Sequence, residues 1–284
     1  MDRSNKPSAI GLGKSLPQPT VSIQDNTVEA SPPHRRICHS PPLRCHRHLV
    51  FGPPPKDHAT SALPQHGFAR NSTWEYLGKS SSESADSQGD MTVKLDFGLS
   101  HTLLSEESRK AWPYEFALVY SVTLNKNSLM TALEVRNEGK ENFDFQVLMH
   151  TYLSVEDISA VRVKNLESKT YIDKTQNATS HTEASNALAI TGETDRVYQA
   201  LDPAVPIIVS SAADDKPLFS ITREALTDVV VWNPWIEKAK GMADFAPDEA
   251  YKNMICVEAG SVSGWQTLEA GDSWEGAQNI KSRL

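Results

Sequence analysis

Hydrophobic and polar positions alternate along most of this chain after residue 73, and they do so with the period of a strand. WEYLG (74–78), TVKLDFGL (92–99), EFALVYSVTL (115–124) and LMTALEVRNE (129–138) each place aromatic or β-branched residues at every second position or in short apolar runs. The pattern continues in FDFQVLMHTYLSV (143–155), PIIVS (206–210), LFSIT (218–222), DVVVW (228–232), NMICVE (253–258) and GWQTLEAGDSWEGAQ (264–278). Clusters of Ser, Glu and Asp at 80–90 and Asn-Glu-Gly at 137–139 read as turns. Helical candidates are few: SEESRKA (105–111) has a capping-type start, and WIEKAKGMA (235–243) suffices for two turns. So many short strands without strand–helix alternation predict an all-β sandwich. Residues 1–30 are rich in Pro, Ser and Asn and read as a flexible lead-in, with VSIQDNTVEA (21–30) as a candidate strand.

Composition narrows the class. A chain of 284 residues with 39% hydrophobic and 23% charged residues is an ordinary globular protein, long enough for one large domain or two small ones. No apolar run approaches the roughly 18 residues of a membrane span, and the N-terminus has no secretory apolar stretch. Three cysteines, Cys38, Cys45 and Cys256, make no disulfide framework, so a cytoplasmic location is expected. The net charge of −8 argues against nucleic-acid partners but not against a small anionic substrate held by one or two arginines. After residue 50 there is no Walker loop, dinucleotide fingerprint or metal-spaced Cys/His pair.

Candidate chemistry begins at Glu258, an acidic residue closing the apolar run YKNMICV with no basic neighbour in sequence. A partly desolvated carboxylate makes a general base with a raised pKa; the competing reading is an ordinary strand-end surface residue. His150, inside FQVLMHTYL, is either a satisfied core histidine or a catalytic one. Residues 229–278, together with PQHGFARNSTWEYLG (64–78) and FQVLMHTYLSV (145–155), resemble the hexose-6-phosphate mutarotases (glucose-6-phosphate 1-epimerases) of the galactose mutarotase-like superfamily, over roughly residues 49 to 280. The resemblance implies a large antiparallel supersandwich and interconversion of the α and β anomers of glucose 6-phosphate and related hexose 6-phosphates. It assigns Glu258 as base and His150 as acid, on opposite sides of one sugar ring, with no cofactor and no metal. It further implies Arg70 as a phosphate-holding arginine, Gln65 as a polar contact to the sugar or phosphate, His66 as a support for the sugar ring, and Asp195 as an acceptor from sugar hydroxyls, whose alternative is a turn residue paired with Arg196. Trp232 and Trp235 are either an apolar wall or core. A monomer without nucleic-acid or membrane partners is expected. Ala259 stands where the family usually has proline, which would free a turn by about 0.4–1 kcal/mol.

One segment departs from the family. Where its members carry V-R-G-G-I-P-L-V-F-P before V-F-G, this chain has HRHLVFGPPPKD, so a substrate-binding arginine is missing. The preceding run HRRICHSPPLRCHRH (34–48) holds four of the nine histidines and two of the three cysteines, yet its C-x6-C spacing matches no standard zinc finger. Read one base later through permissible codons, residues 31–49 can become a turn followed by an alternating strand. We therefore expect an aberrant segment over 1–48, a sandwich domain over 49–284 with its N-terminal strands incomplete, and an exposed sheet edge. The missing arginine leaves a second reading open, a sugar-phosphate-binding protein without turnover.

Overall fold

The computed structural model describes residues 20–24, 27–31, 46–48, 51–83, 91–243 and 245–282. The stretch with Cys38, His39 and Cys45, on which the metal and frame readings turn, lies outside these residues.

Two antiparallel sheets make the body of the molecule. One has nine strands, in the order Ala187–Ala189, Val161–Lys164, Ile207–Ser211, Pro217–Glu224, Ser273–Ser282, Ser128–Asn137, Phe116–Leu124, Met91–Ser100 and Glu75–Glu83. The other runs Thr179–Thr182, Thr170–Asp173, Thr194–Tyr198, Asp228–Asn233, Met254–Leu268, Phe143–His150 and His46–His48, with the short strand Tyr152–Ser154 also pairing to Met254–Leu268. Residues Thr20–Gln24 and Thr27–Ser31 form a separate antiparallel pair.

The all-β sandwich expected from the alternation is what the chain forms, and strand Phe116–Leu124 shows why. Phe116, Leu118, Tyr120, Val122 and Leu124 are buried while the residues between them are half-buried, so a single face carries the apolar load. Burial of such faces builds two inner clusters, one centred on Phe116, Tyr120 and Phe145, the other on Val163, Ile221 and Ile255. Each fully buried Leu, Ile or Phe contributes roughly 1.5–3 kcal/mol. A polar pin crosses between the sheets: Gln278 Nε2 donates to Thr131 Oγ1 at 3.2 Å and to Thr151 Oγ1 at 2.9 Å.

Several boundaries move. The strand expected over 143–155 is interrupted at Thr151, and the one over 264–278 is two strands joined by a turn. The serines of 80–83, read as the start of a turn, extend strand Glu75–Glu83. The short strands Val161–Lys164, Thr170–Asp173, Thr179–Thr182, Ala187–Ala189 and Thr194–Tyr198 were not expected, because three or four residues, or five with two charges among them as in Thr194–Tyr198, are too few to display a period. Helix Glu106–Ala111 does form where its signals lie: Ser105 caps it by accepting from Ser108 N at 3.1 Å, with glutamates in the first turn and basic residues in the last. Ala259 is in no turn; it pairs with Val229 and Met149 inside the sheet, so its comparison with a turn proline does not apply.

The N-terminal region is only partly as expected. The backbone of His46–His48 pairs with Leu148–His150 as an edge strand, in a stretch whose sequence has no strand period. The nine-stranded sheet ends at Glu75–Glu83, where Tyr76 and Leu77 stand 53% and 54% exposed, which makes this a sticky edge.

Candidate active site

Strand pairing brings the site together. In the eight-stranded sheet Ile172 lies opposite Val197, Val197 opposite Val230, and Val230 opposite Glu258. On the other side of Glu258, Met149 pairs with Ala259, so His150 is the next residue along, and it pairs in turn with His46. Side chains on a strand alternate, so the even-numbered residues of Phe143–His150, of Asp228–Asn233 and of Met254–Leu268 up to its register break after Ser261 share the face turned away from the other sheet. That face has its own apolar floor of Leu148, Val197, Val230, Trp232, Met254, Cys256 and Val262, flanked by Phe51, Tyr152 and Ile172. Gly260 keeps this floor tight: a Cβ there would lie 2.7 Å from both Leu148 Cδ1 and the Val147 carbonyl oxygen.

On this floor His150 Nε2 and Glu258 Oε1 stand 3.3 Å apart. Glu258 is not a strand-end surface residue but a mid-strand one, 2% exposed. Burial drives its pKa well above the ordinary carboxylate range; the negative charge of Asp195 adds to the rise and the Lys174 ammonium partly opposes it. His150 stacks on Tyr152 at 4.8 Å and meets Trp232 edge-on at 5.7 Å, so two aromatic rings fix its plane. Of the two tryptophans in question, Trp232 is a wall of this site, whereas Trp235 packs against the inner core and Tyr251. The imidazole and the carboxylate lie side by side, not on opposite sides of a sugar-sized gap.

Asp195 joins the pair through charge. Burial raises its pKa, and Lys174 and Lys238 pull it back down; Lys238 Nζ is 3.9 Å from its carboxylate and 3.3 Å from that of Glu193. Pairing of Asp195 with Arg196 does not occur. Alternation turns Arg196 to the other face, where it meets Glu183 at 2.9 Å and Asp173 at 3.6 Å. Lys174 was not singled out from sequence. The residue as a whole is exposed, but its ammonium lies 3.6 Å from the centre of the Phe51 ring. Desolvation there holds its pKa below the usual lysine value against the pull of Asp195 and Glu258. No period in TYIDKT announces it, because the strand before it is four residues long.

The loop residues divide. His66 adopts a left-handed φ of 68°, its Nδ1 accepts from Gly52 N at 3.3 Å, and its ring lies 6.1 Å from that of Phe51. Gln65 reaches His66 Nε2 at 3.3 Å. His66 therefore sits beside the ring that supports Lys174, and Gln65 beside His66. Arg70 is exposed, and among the described residues no hydrogen bond or ion pair joins it to His150, Glu258 or Asp195. No helix among the described residues is long and apolar enough to cross a membrane.

Comparison with known proteins places this arrangement. The family described as "Aldose 1-epimerase" matches residues 52–281. A protein of Cenchrus ciliaris named "Putative glucose-6-phosphate 1-epimerase" is 36% identical over 219 residues, which is 75% of this chain and 63% of that one. One of the same name from Escherichia coli is 32% identical over 81% of this chain and 70% of its own length. The matched part of the chain thus spans less than two thirds of the Cenchrus relative. Among solved structures, a Salmonella typhimurium protein described as a "putative mutarotase" superposes with a TM-score of 0.68 at 28% identity, covering 83% of this chain and 72% of that one. A galactose mutarotase related enzyme from Lactobacillus acidophilus shares the fold at a TM-score of 0.59 and 16% identity, over 78% of this chain and 75% of its own.

Proposed function

The chain belongs to the aldose 1-epimerase family, and from that premise we propose that it interconverts the α and β anomers of glucose 6-phosphate and related hexose 6-phosphates. The observation that carries the reading is the placement of His150 Nε2 and Glu258 Oε1 3.3 Å apart on a buried, aromatic-walled sheet face. Glu258, ionised, takes the proton from the anomeric hydroxyl. The freed electron pair closes the C1–O1 double bond as the bond from C1 to the ring oxygen breaks. His150, protonated, gives its proton to that ring oxygen. Rotation about C1–C2 presents the other face of the aldehyde, and reclosure with the roles reversed gives the other anomer. The raised pKa of Glu258 makes it a better base than an exposed carboxylate and places its protonation nearer to working pH. Asp195, Gln65 and His66 are assigned to sugar hydroxyls, and Arg70 to the phosphate.

The test is magnetisation exchange between the two anomers of glucose 6-phosphate. Glu258→Gln and His150→Ala should each slow enzyme-driven exchange by roughly 10²–10⁴-fold, and undiminished exchange in both would remove the assignment. Glu258→Gln carries a second signature. A folded-state pKa raised above the unfolded value means that the native state holds its proton longer, so stability falls as pH rises from the unfolded pKa through the raised one. The glutamine variant escapes this, and at neutral pH it should melt higher, by about 2–4 °C for each kcal/mol regained in a chain of this size. Because the family's R-G-G-I-P arginine is missing, binding of glucose 6-phosphate without anomer exchange is the competing outcome. It would identify a binding protein.

A further inference from the structure

Cys256 has no task in the ring-opening chemistry, yet it lies on the same strand and the same face as Glu258, two residues away, and is fully buried. Its sulfur, an imidazole nitrogen of His150 and a carboxylate oxygen of Glu258 all lie within 4.8 Å of one another. We propose that these three side chains form a capture site for Zn²⁺, or a divalent ion of similar softness, and that its occupation stops turnover.

The donor set is the first support. Thiolate, neutral imidazole and carboxylate are the three ligand types that Zn²⁺ takes, and three protein ligands with one open position is a common zinc arrangement. Distance is the second. Nitrogen and oxygen ligands at about 2.0–2.2 Å from a tetrahedral centre stand roughly 3.3–3.5 Å apart, and His150 Nε2 and Glu258 Oε1 are already at 3.3 Å. The sulfur has to close in by no more than about 1 Å to reach a zinc–sulfur distance of roughly 2.3 Å. Charge is the third: the thiolate and carboxylate together balance a divalent cation. Access is the fourth. The His150 side chain is 18% exposed while Glu258 is 2% exposed, so the ion arrives from the histidine side and leaves its fourth position to water. The thiol proton passes to solvent on binding. With Glu258 and His150 both bound to metal, neither transfers a proton. This last step rests on the acid and base roles proposed above; the capture site itself rests only on the position of the three donors.

The experiment uses the full-length chain carrying Cys38→Ser and Cys45→Ser, so that any thiolate signal comes from Cys256. Metal-free protein is titrated with Co²⁺ while its near-ultraviolet thiolate-to-cobalt charge-transfer absorption is followed, and separately with Zn²⁺ while anomer exchange is measured, with EDTA added last. We expect the absorption to appear, to vanish in both Cys256→Ala and Cys256→Ser, and Zn²⁺ inhibition to be reversed by EDTA. Measured against its own metal-free exchange rate, each Cys256 variant should resist Zn²⁺ by roughly tenfold or more, since even indirect damage to a metal site costs 10–100-fold in affinity. A cooperative melt in either variant certifies that it is folded. Absence of the absorption with Cys256 intact, or equal Zn²⁺ sensitivity in a folded Cys256 variant, would overturn the proposal. A metal-free protein that binds Co²⁺ through Cys256 but exchanges no anomers would sink the epimerase reading and leave the capture site standing.

Discussion

The two faces of the eight-stranded sheet are built by the same strands, one residue out of phase, and they behave as different materials. On the inner face Met149, Val229, Val231, Ile255 and Val257 are buried against the other sheet. On the outer face their neighbours His150, Val230, Trp232, Cys256 and Glu258 form an apolar floor with a carboxylate and an imidazole set into it. The inner face is closed to water, and the outer one is open to it at the half-buried His150 and Tyr152. The difference is that the outer one places an opposing cation, Lys174, and a partner ring nitrogen within reach of its carboxylate, whereas around Val229, Ile255 and Val257 the inner one offers hydrocarbon. A buried carboxylate is tolerable where its charge or its proton has a partner, and ruinous one residue away.

The largest effect should come from crossing that line. Val257→Asp puts a carboxylate opposite Val231 in the inner cluster, where Val257 is fully buried among hydrocarbon side chains. Destabilisation above about 4 kcal/mol is expected, measured by denaturant unfolding or seen as failure to fold. A loss below about 1 kcal/mol would show that the inner face is wetter than described.

A smaller effect sharpens the electrostatics of the outer face. Asp195 raises the Glu258 pKa by like-charge repulsion, second only to burial. Asp195→Asn removes that repulsion and favours the ionised base, so the acidic limb of the kcat profile should move to lower pH while KM rises. An unmoved limb would mean that burial alone sets the Glu258 pKa.

The smallest effect tests the pin behind His150. Thr151→Val deletes the hydroxyl that accepts from Gln278 Nε2, while Gln278 keeps its bond to Thr131. The cost should be about 0.5–1.5 kcal/mol, or a fall in Tm of roughly 2–4 °C per kcal/mol.

Long strands were legible because ten residues show a period: Phe116–Leu124 and Ser128–Asn137 fall within a residue or two of the expected spans. Thr170–Asp173 and Thr194–Tyr198 were not, and the site depends on them, since they carry Lys174 to the edge of the floor and Asp195 onto it. His150 and Glu258 were singled out by their surrounding motifs, yet their side-by-side placement follows from the pairing of Met149 with Ala259, residues 110 apart in the chain. No local signal encodes that register.

The sequence by itself determined the strand-rich class and the apolar runs that fill the core, and alternation with a period of two writes both locally. His150 and Glu258 stand out in it only through the resemblance of their flanking motifs to a known family. The tertiary structure alone decided that Glu258 is buried mid-strand, that Lys174 and Asp195 bear on its pKa, and that Cys256 lies within ligand distance of the pair. Those depend on which strands become neighbours, and hydrophobic burial, being non-directional, chooses neighbours only once the whole sheet has formed.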